Sequence, residues 1–398
     1  MWKRLFDKTL HQVIRTGQLM IEGPDRSYRN YGDGTSPQVA VRVSDPDLPR
    51  KLMFSPDLAI GEAYVDARLT IENDDLPGFL HLLLLNRGMG NTGAAIQTNL
   101  LLRRMVRRLR QRNPMPSAQK NVAHHYDLSP EFYALFLDED RQYSCAYFRH
   151  PDDTLEQAQA RKKAHIARKL LLEPGMRVFE IGCGWGGMAI TLARDYGANV
   201  VGVTLSKEQY AIARARVKQA GLAAQVDIRL IDYRKVNETF DRVVSVGMFE
   251  HVGVPHYREF FGHVRERLAG DGVALIHTIG RRSPPGSTSP WITRYIFPGG
   301  YIPALSEVMK AVEKERLWAT DIEFWRLHYA ETLLHWRRRF ERNIDTARAL
   351  YDEQFCRMWR YYLVASEMSF RDLDHEVFQI QLARRVDTVP VTRDYLCG

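Results

Sequence analysis

The chain has 398 residues, 45% hydrophobic and 26% charged, an ordinary globular composition with room for two domains. No run approaches the ~18 apolar residues needed to span a bilayer, and the N-terminus carries no apolar signal core with a small-residue cleavage site. The formal charge is +8, and residues 1–115 hold 17 Lys/Arg against 12 Asp/Glu, which points to an anionic partner: nucleic acid or an anionic membrane surface.

Residues 2–19 read as an amphipathic helix, with Trp2, Leu5, Phe6, Leu10, Val13 and Ile14 at helical spacing and Lys3, Arg4, Lys8, His11 and Arg15 around them. Such a basic helix can lie in a bilayer interface; the same pattern serves a helix packed on its own domain. Residues 38–43 alternate as a strand, and 57–65 and 76–85 can be helices. A further amphipathic helix is expected over 100–112, where six arginines (Arg103, Arg104, Arg107, Arg108, Arg110, Arg112) face phosphates of lipid or nucleic acid alike. RNA binding calls for aromatic stacking residues among the arginines, and this segment has none. Asn113-Pro114-Met115-Pro116-Ser117 reads as a linker. The expected domains are therefore a smaller N-terminal α+β domain, 1–115, and a larger one, 118–398.

The second domain alternates helix and strand, the mark of an α/β sheet. Strands are expected at 178–181, 200–204, 226–231, 242–246 and 273–278, a helix at 207–220, and Gly221 and Gly270 as helix C-caps. A Pro/Gly/Ser-rich loop is expected over 281–300, helices over 301–314 and 329–351, and a last strand at 378–382. Four cysteines (Cys145, Cys183, Cys356, Cys397) lack disulfide or metal spacing, which suits a reducing cytoplasm.

The first strand runs into Glu180-Ile181-Gly182-Cys183-Gly184-Trp185-Gly186, a strand, a glycine turn and then an apolar helix. Such a turn lets a ligand approach the backbone. The acidic residue and alternate glycines resemble the first motif of S-adenosylmethionine (SAM) methyltransferases rather than the G-x-G-x-x-G of dinucleotide enzymes. Ligands of open α/β sheets bind outside the carboxyl ends of the strands, and all five ends are polar here: Glu180, Thr204, Asp232, Glu250 and His277.

The second domain resembles the cyclopropane fatty acid synthases and the related mycolic acid cyclopropane synthases. The resemblance rests on Ala123-His124-His125-Tyr126-Asp127-Leu128-Ser129, on Tyr143-Ser144-Cys145-Ala146-Tyr147-Phe148, and on the glycine turn. It continues through Gly202-Val203-Thr204-Leu205-Ser206 with Gln209, Ser245 to Gly253, His277-Thr278-Ile279-Gly280, Tyr295 to Gly300, and His328 to Leu333. It implies a class I SAM-dependent methyltransferase sheet. It implies an enzyme adding a SAM-derived methylene across the cis double bond of an unsaturated membrane phospholipid acyl chain, with bound bicarbonate as the base that lets the ring close. Residues 1–115 resemble the N-terminal domain of the phospholipid-modifying members, which the shorter mycolic-acid enzymes lack.

Mapped by motif, the base site is Cys145, Glu250, His277, Ile279 and Tyr329. In the site the resemblance implies, the backbone N–H groups of Cys145 and Ile279 and the side chains of His277 and Tyr329 can donate to the anion, and Glu250 can accept its O–H. The SAM site is Tyr143, Ser144, Gly182, Gly184, Thr204, Leu205 and Gln209, with Asp232 and Tyr233 beside the adenine. Thr204-Leu205-Ser206 stands where many methyltransferases place an acidic residue for the ribose. No metal is expected. Related alternatives methylate the double bond without closing the ring; a non-catalytic lipid-surface or RNA-binding protein is the remaining class. The expected setting is cytoplasmic and peripheral to the inner face of the membrane, with no nucleic acid partner, and a homodimer is compatible with the sequence.

Overall fold

The computed structural model describes residues 2–88 and 128–396. The arginine-rich segment 100–112, the linker 113–117 and the His124-His125-Tyr126-Asp127 stretch lie outside the described residues. The chain forms two compact units. One holds the N-terminal residues together with 287–296 and 333–374; the other holds the remainder.

The first unit is built on a four-stranded sheet ordered β2-β1-β3-β4: β1 (Gln18–Glu22), β2 (Tyr28–Gly32), β3 (Gln38–Val43) and β4 (Leu69–Ile71). The N-terminal helix is Trp2–Val13, shorter than the apolar spacing suggests, because Leu19 belongs to β1 and points into the core. Helices Pro56–Val65 and Leu76–Gly88 form as read. The segment expected to be a loop over 281–300 contains a helix, Pro290–Tyr295, whose Trp291 is fully buried. It lies so close to Gly61 that a Cβ there would stand 2.4 Å from its ring. The expected helix 329–351 is two, His328–Arg342 and Ile344–Leu350, broken at Asn343, and a long helix, Glu353–Arg371, follows unread.

The second unit is a seven-stranded sheet. Its strands are β5 (Arg177–Ile181), β6 (Asn199–Thr204), β7 (Val226–Leu230), β8 (Phe240–Val246), β9 (Leu268–Arg281), β10 (Trp318–Phe324) and β11 (His375–Ala383), in the order β10-β11-β9-β8-β5-β6-β7. The run from β9 to β7 is parallel, and β11 is antiparallel to both its neighbours. Alternate residues feed two cores: Val178, Val200 and Val244 pack on one face, Phe179, Val201 and Val243 on the other. Gly221 has the left-handed conformation of a C-cap, but Gly270 sits inside β9 and caps nothing. The helix expected from 301 starts at Leu305. Helix Tyr257–Arg267 stands where a cap at Gly270 implies one, while helix Leu155–Lys169 and the strand β10 are not legible in the pattern.

The chain runs β5-β6-β7 outward on one side of β5 and returns to β8 on the other. The strand order therefore reverses at β5/β8, where an α/β sheet opens a crevice at its carboxyl edge.

Candidate active site

A cleft of about 1270 Å³, counted with its solvent-open mouth, lies at that edge. It is lined by all nine residues expected around the cofactor: Tyr143, Ser144, Gly182, Gly184, Thr204, Leu205, Gln209, Asp232 and Tyr233. Glu180 lines it too. Gly182 and Gly184 both have positive φ, +85° and +53°, which explains glycine at each, but their surroundings differ. A Cβ on Gly182 would stand 2.9 Å from Met248 Cβ, whereas a Cβ on Gly184 would meet nothing within 4 Å. The first is a packing requirement and the second keeps the cleft open.

The polar groups of the wall are already oriented. Thr204 Oγ1 donates to Gln209 Oε1 at 2.9 Å, which leaves the Gln209 amide nitrogen as its donor. Both Asp232 oxygens are engaged by the Arg234 guanidinium, at 2.9 and 2.7 Å. Burial raises the Asp232 carboxyl, but this pairing holds it below the usual carboxylate range.

Under the segment Gln142 to Cys145 runs helix Leu155–Lys169. Gln159 donates to the carbonyls of Ser144 (2.9 Å) and Gln142 (3.3 Å). One turn on, the fully buried Lys162 ammonium donates to Gln142 Oε1 (2.7 Å) and Ser144 Oγ (2.8 Å). Burial pushes Lys162 down to about 8 and the Glu180 carboxyl up to about 8. A hydroxyl oxygen that accepts from an ammonium turns its own proton elsewhere, so Ser144 is set as a donor.

None of the five residues expected to hold the base is among those lining this cleft; Cys145, Glu250 and His277 adjoin residues that do. Cys145 follows Ser144, and Glu250 precedes the cleft residue His251. Gly247, on the cleft wall, donates its N–H to the His277 carbonyl at 3.0 Å. Glu250 and Ile279 are brought together: the Ile279 N–H, expected to face an anion, donates to Glu250 Oε1 at 2.7 Å. Glu250 Oε2 is buried with no hydrogen-bond partner among the described residues. Burial pushes Glu250 up to about 7, so both its protonation states are reached near neutrality.

Cys145 and the helix that begins with His328 and Tyr329 are also brought together. Ala146 N–H donates to Thr332 Oγ1 (3.0 Å) and Phe148 N–H to His328 Nδ1 (3.2 Å). Burial raises the Cys145 thiol, so it is no thiolate nucleophile. His277 is pushed down to about 3 by burial, with Lys162 and Lys169 adding to the effect, and is neutral. Trp325 packs edge-on against its ring at 5.0 Å and in turn contacts His328 at 5.8 Å.

Residues 114–380 match the family described as mycolic acid cyclopropane synthetase. The chain belongs to this family. All fourteen residues named above for the cofactor and the base fall within the matched span. The chain is 40% identical over 345 residues to a probable fatty acid methyltransferase of Pseudomonas putida, covering 85% of each. It is 37% identical over 355 residues to the cyclopropane-fatty-acyl-phospholipid synthase of Escherichia coli, covering 89% of this chain and 90% of that protein. Among solved structures it resembles the cyclopropane synthase MmaA2 of Mycobacterium tuberculosis, with a TM-score of 0.65 and 34% identity over 68% of this chain and 99% of that one. Mycolic acid cyclopropane synthase CmaA1, solved with SAH and CTAB, gives a TM-score of 0.64 at 34% identity, over 68% of this chain and 99% of that one. As a member of the family this chain is an enzyme with the SAM-dependent methyltransferase fold.

Further residues line the cleft without standing out in the sequence: Arg141, Gln142, Trp185, Met188, Met248, His251 and His256. Trp185 sits inside the glycine turn and His251 beside Glu250, so proximity to a motif could have found both. Lys162 carries no such signal: in a helix rich in charge it reads as solvent-facing.

Proposed function

We propose that this enzyme transfers a SAM-derived methylene to the cis double bond of an unsaturated phospholipid acyl chain and closes a cyclopropane, with bicarbonate as the base. The observation that carries this reading is Glu250: a buried carboxylate, hydrogen-bonded on one oxygen by Ile279 and unpartnered on the other among the described residues, adjoining a residue of the glycine-turn cleft. Bicarbonate has an O–H to give and anionic oxygens to be held, and the residues present fit it. Glu250 Oε2 is a buried acceptor without a donor, and neutral His277 is a donor.

SAM supplies the electrophilic methyl group. The cleft supplies its placement: Gly184 leaves the backbone approachable, Ser144 and Gln209 present donors, and Asp232 and Tyr233 line it as well. Positioning of two poorly reactive partners is worth as much as ~7–11 kcal/mol. Bound there, bicarbonate would supply the proton acceptor: Glu250 would accept its O–H and fix its orientation, and His277, Tyr329 and the backbone N–H at Cys145 would hold its charge.

Residues 1–115 serve as the docking domain at an anionic membrane surface, with the protein cytoplasmic and peripheral. Helix Trp2–Val13 has no buried residue and leaves Lys3, Arg4 and Lys8 exposed beside Leu5. Trp2 packs against the exposed Phe54 at 5.3 Å. Among the described residues no helix is long and apolar enough to cross a membrane.

A second reading, methylation without ring closure, is favoured by the name of the Pseudomonas relative. Mass spectrometry of lipids from cells expressing the chain separates the two. Ring closure adds one CH₂ and makes the acyl chain resistant to ozone. An added carbon on a chain that stays ozone-sensitive, or that gains two further hydrogens, overturns ring closure.

A further inference from the structure

His277 on β9 and Gln379 on β11 face each other as cross-strand partners in antiparallel register. Both are buried, at 2% and 0% exposure, in a sheet covered on both faces. A buried glutamine in a strand interior is costly unless it is hydrogen-bonded. This one has a single recorded partner: its Nε2 stands 3.0 Å from His277 Nδ1, and its Oε1 is buried with no partner among the described residues.

The amide could meet the ring either way round, and the two choices differ in what they leave unpaired. With Nε2 toward the ring, the carbonyl oxygen and the second amide N–H go without partners among the described residues. With Oε1 toward the ring, an NH₂ carrying two donors goes without an acceptor. Under-satisfied carbonyls are tolerated in protein interiors more readily than orphaned N–H groups. The arrangement in the structure is therefore the cheaper one. It makes Nδ1 an acceptor, and a neutral imidazole that accepts at Nδ1 carries its proton on Nε2. Trp325, edge-on to the ring at 5.0 Å and 81°, holds the ring plane so that this choice has a direction.

We infer that Gln379 is a positioning residue that locks His277 as its Nε2–H tautomer and so makes the nitrogen on the far side of the ring a permanent donor. The inference rests on the reading of His277 as a holder of the base anion, which needs a donor there. It also accounts for a glutamine in a strand whose neighbours Phe378 and Ile380 are apolar core.

Histidine-ring ¹⁵N NMR of the full-length protein tests it, with the His277 signals assigned by their loss in His277→Gln. The wild-type protein should show a bare Nδ1 and a protonated Nε2. Gln379→Glu offers an acceptor in place of the donor and should move the proton to Nδ1; Gln379→Met should give a mixture. Turnover should fall about 10²-fold in Gln379→Glu, the effect of misdirecting one donor, with SAM affinity unchanged. A wild-type spectrum with Nδ1 protonated overturns the inference, and so does a Gln379→Met spectrum identical to the parent. The wild-type measurement alone decides the tautomer, whether or not a variant folds. A tautomer that changes as expected while turnover stays full upholds the role of Gln379 and overturns the reading of His277 as a holder of the base.

Discussion

Alanine at Gly184 and alanine at Gly182 should damage the protein in different ways, although the two glycines stand two residues apart in one turn. Gly184 has φ +53° and open space where a Cβ would go. Its substitution costs the strain of a left-handed residue, about 1–2 kcal/mol, and no clash. At about 2–4 °C per kcal/mol for a unit of this size, the thermal midpoint should fall by ~2–8 °C. The new methyl stands in the cleft where the cofactor backs onto the chain, so SAM affinity should fall by more than about tenfold, or ~1.4 kcal/mol. Gly182 has φ +85°, and its Cβ would stand 2.9 Å from Met248 Cβ and 3.0 Å from Met248 Cγ. Overpacking adds about 1–3 kcal/mol to the same strain, so Gly182→Ala should lose ~4–20 °C. Differential scanning fluorimetry and titration calorimetry with SAM read both quantities on both proteins. Gly184→Val, with a β-branched side chain at positive φ, should close the cleft more completely at a larger cost in stability. A folded Gly184→Ala protein that binds SAM as tightly as its parent would refute the placement of the cofactor.

Glu250→Gln should abolish turnover yet stabilise the fold at alkaline pH. Burial raises Glu250 from 4.5 to about 7, so its contribution to stability is present below about 4.5 and lost as pH rises through about 7. That amounts to roughly 3 kcal/mol by pH 8, absent in the glutamine variant; equal midpoints of parent and variant at pH 8 would contradict it. Lys162→Met should remove the ammonium that orients Ser144 and Gln142 and weaken SAM binding about tenfold, while adenosine, which lacks the amino-acid end, binds as before. Equal losses for both ligands would reduce Lys162 to a packing role. Changing Arg103, Arg104, Arg107 and Arg108 together to Gln should weaken binding to anionic vesicles, at roughly 1 kcal/mol per charge near the surface, and leave SAM affinity alone. Added salt should mimic the loss, and sedimentation with vesicles that shows parental binding would assign those arginines elsewhere.

What the sequence by itself determined lies close along the chain. Near-continuous apolar runs mark β5, β6 and β8 because a strand buried on both faces needs them. Three glycines at alternate positions mark the turn because only glycine accepts positive φ there without strain. The polar strand ends Glu180, Thr204 and Asp232 mark the cleft because a parallel sheet gathers those ends at one edge, whereas Glu250 and His277, read the same way, do not line it. The tertiary structure decided what depends on distant partners. Trp291 lies in a stretch whose Pro, Gly and Ser read as loop, yet it is the core against which Gly61 packs, some 230 positions earlier. Lys162 and Gln159 look like the wet face of a charged helix until the cleft segment is laid over them. Gln379 acquires its meaning from antiparallel register alone: its partner His277 is about 100 residues away, and a shift of one position would turn it to the opposite face of the sheet. Local pattern encodes backbone conformation and burial. The identity of the group that a buried polar side chain must satisfy is set by which strands and helices meet.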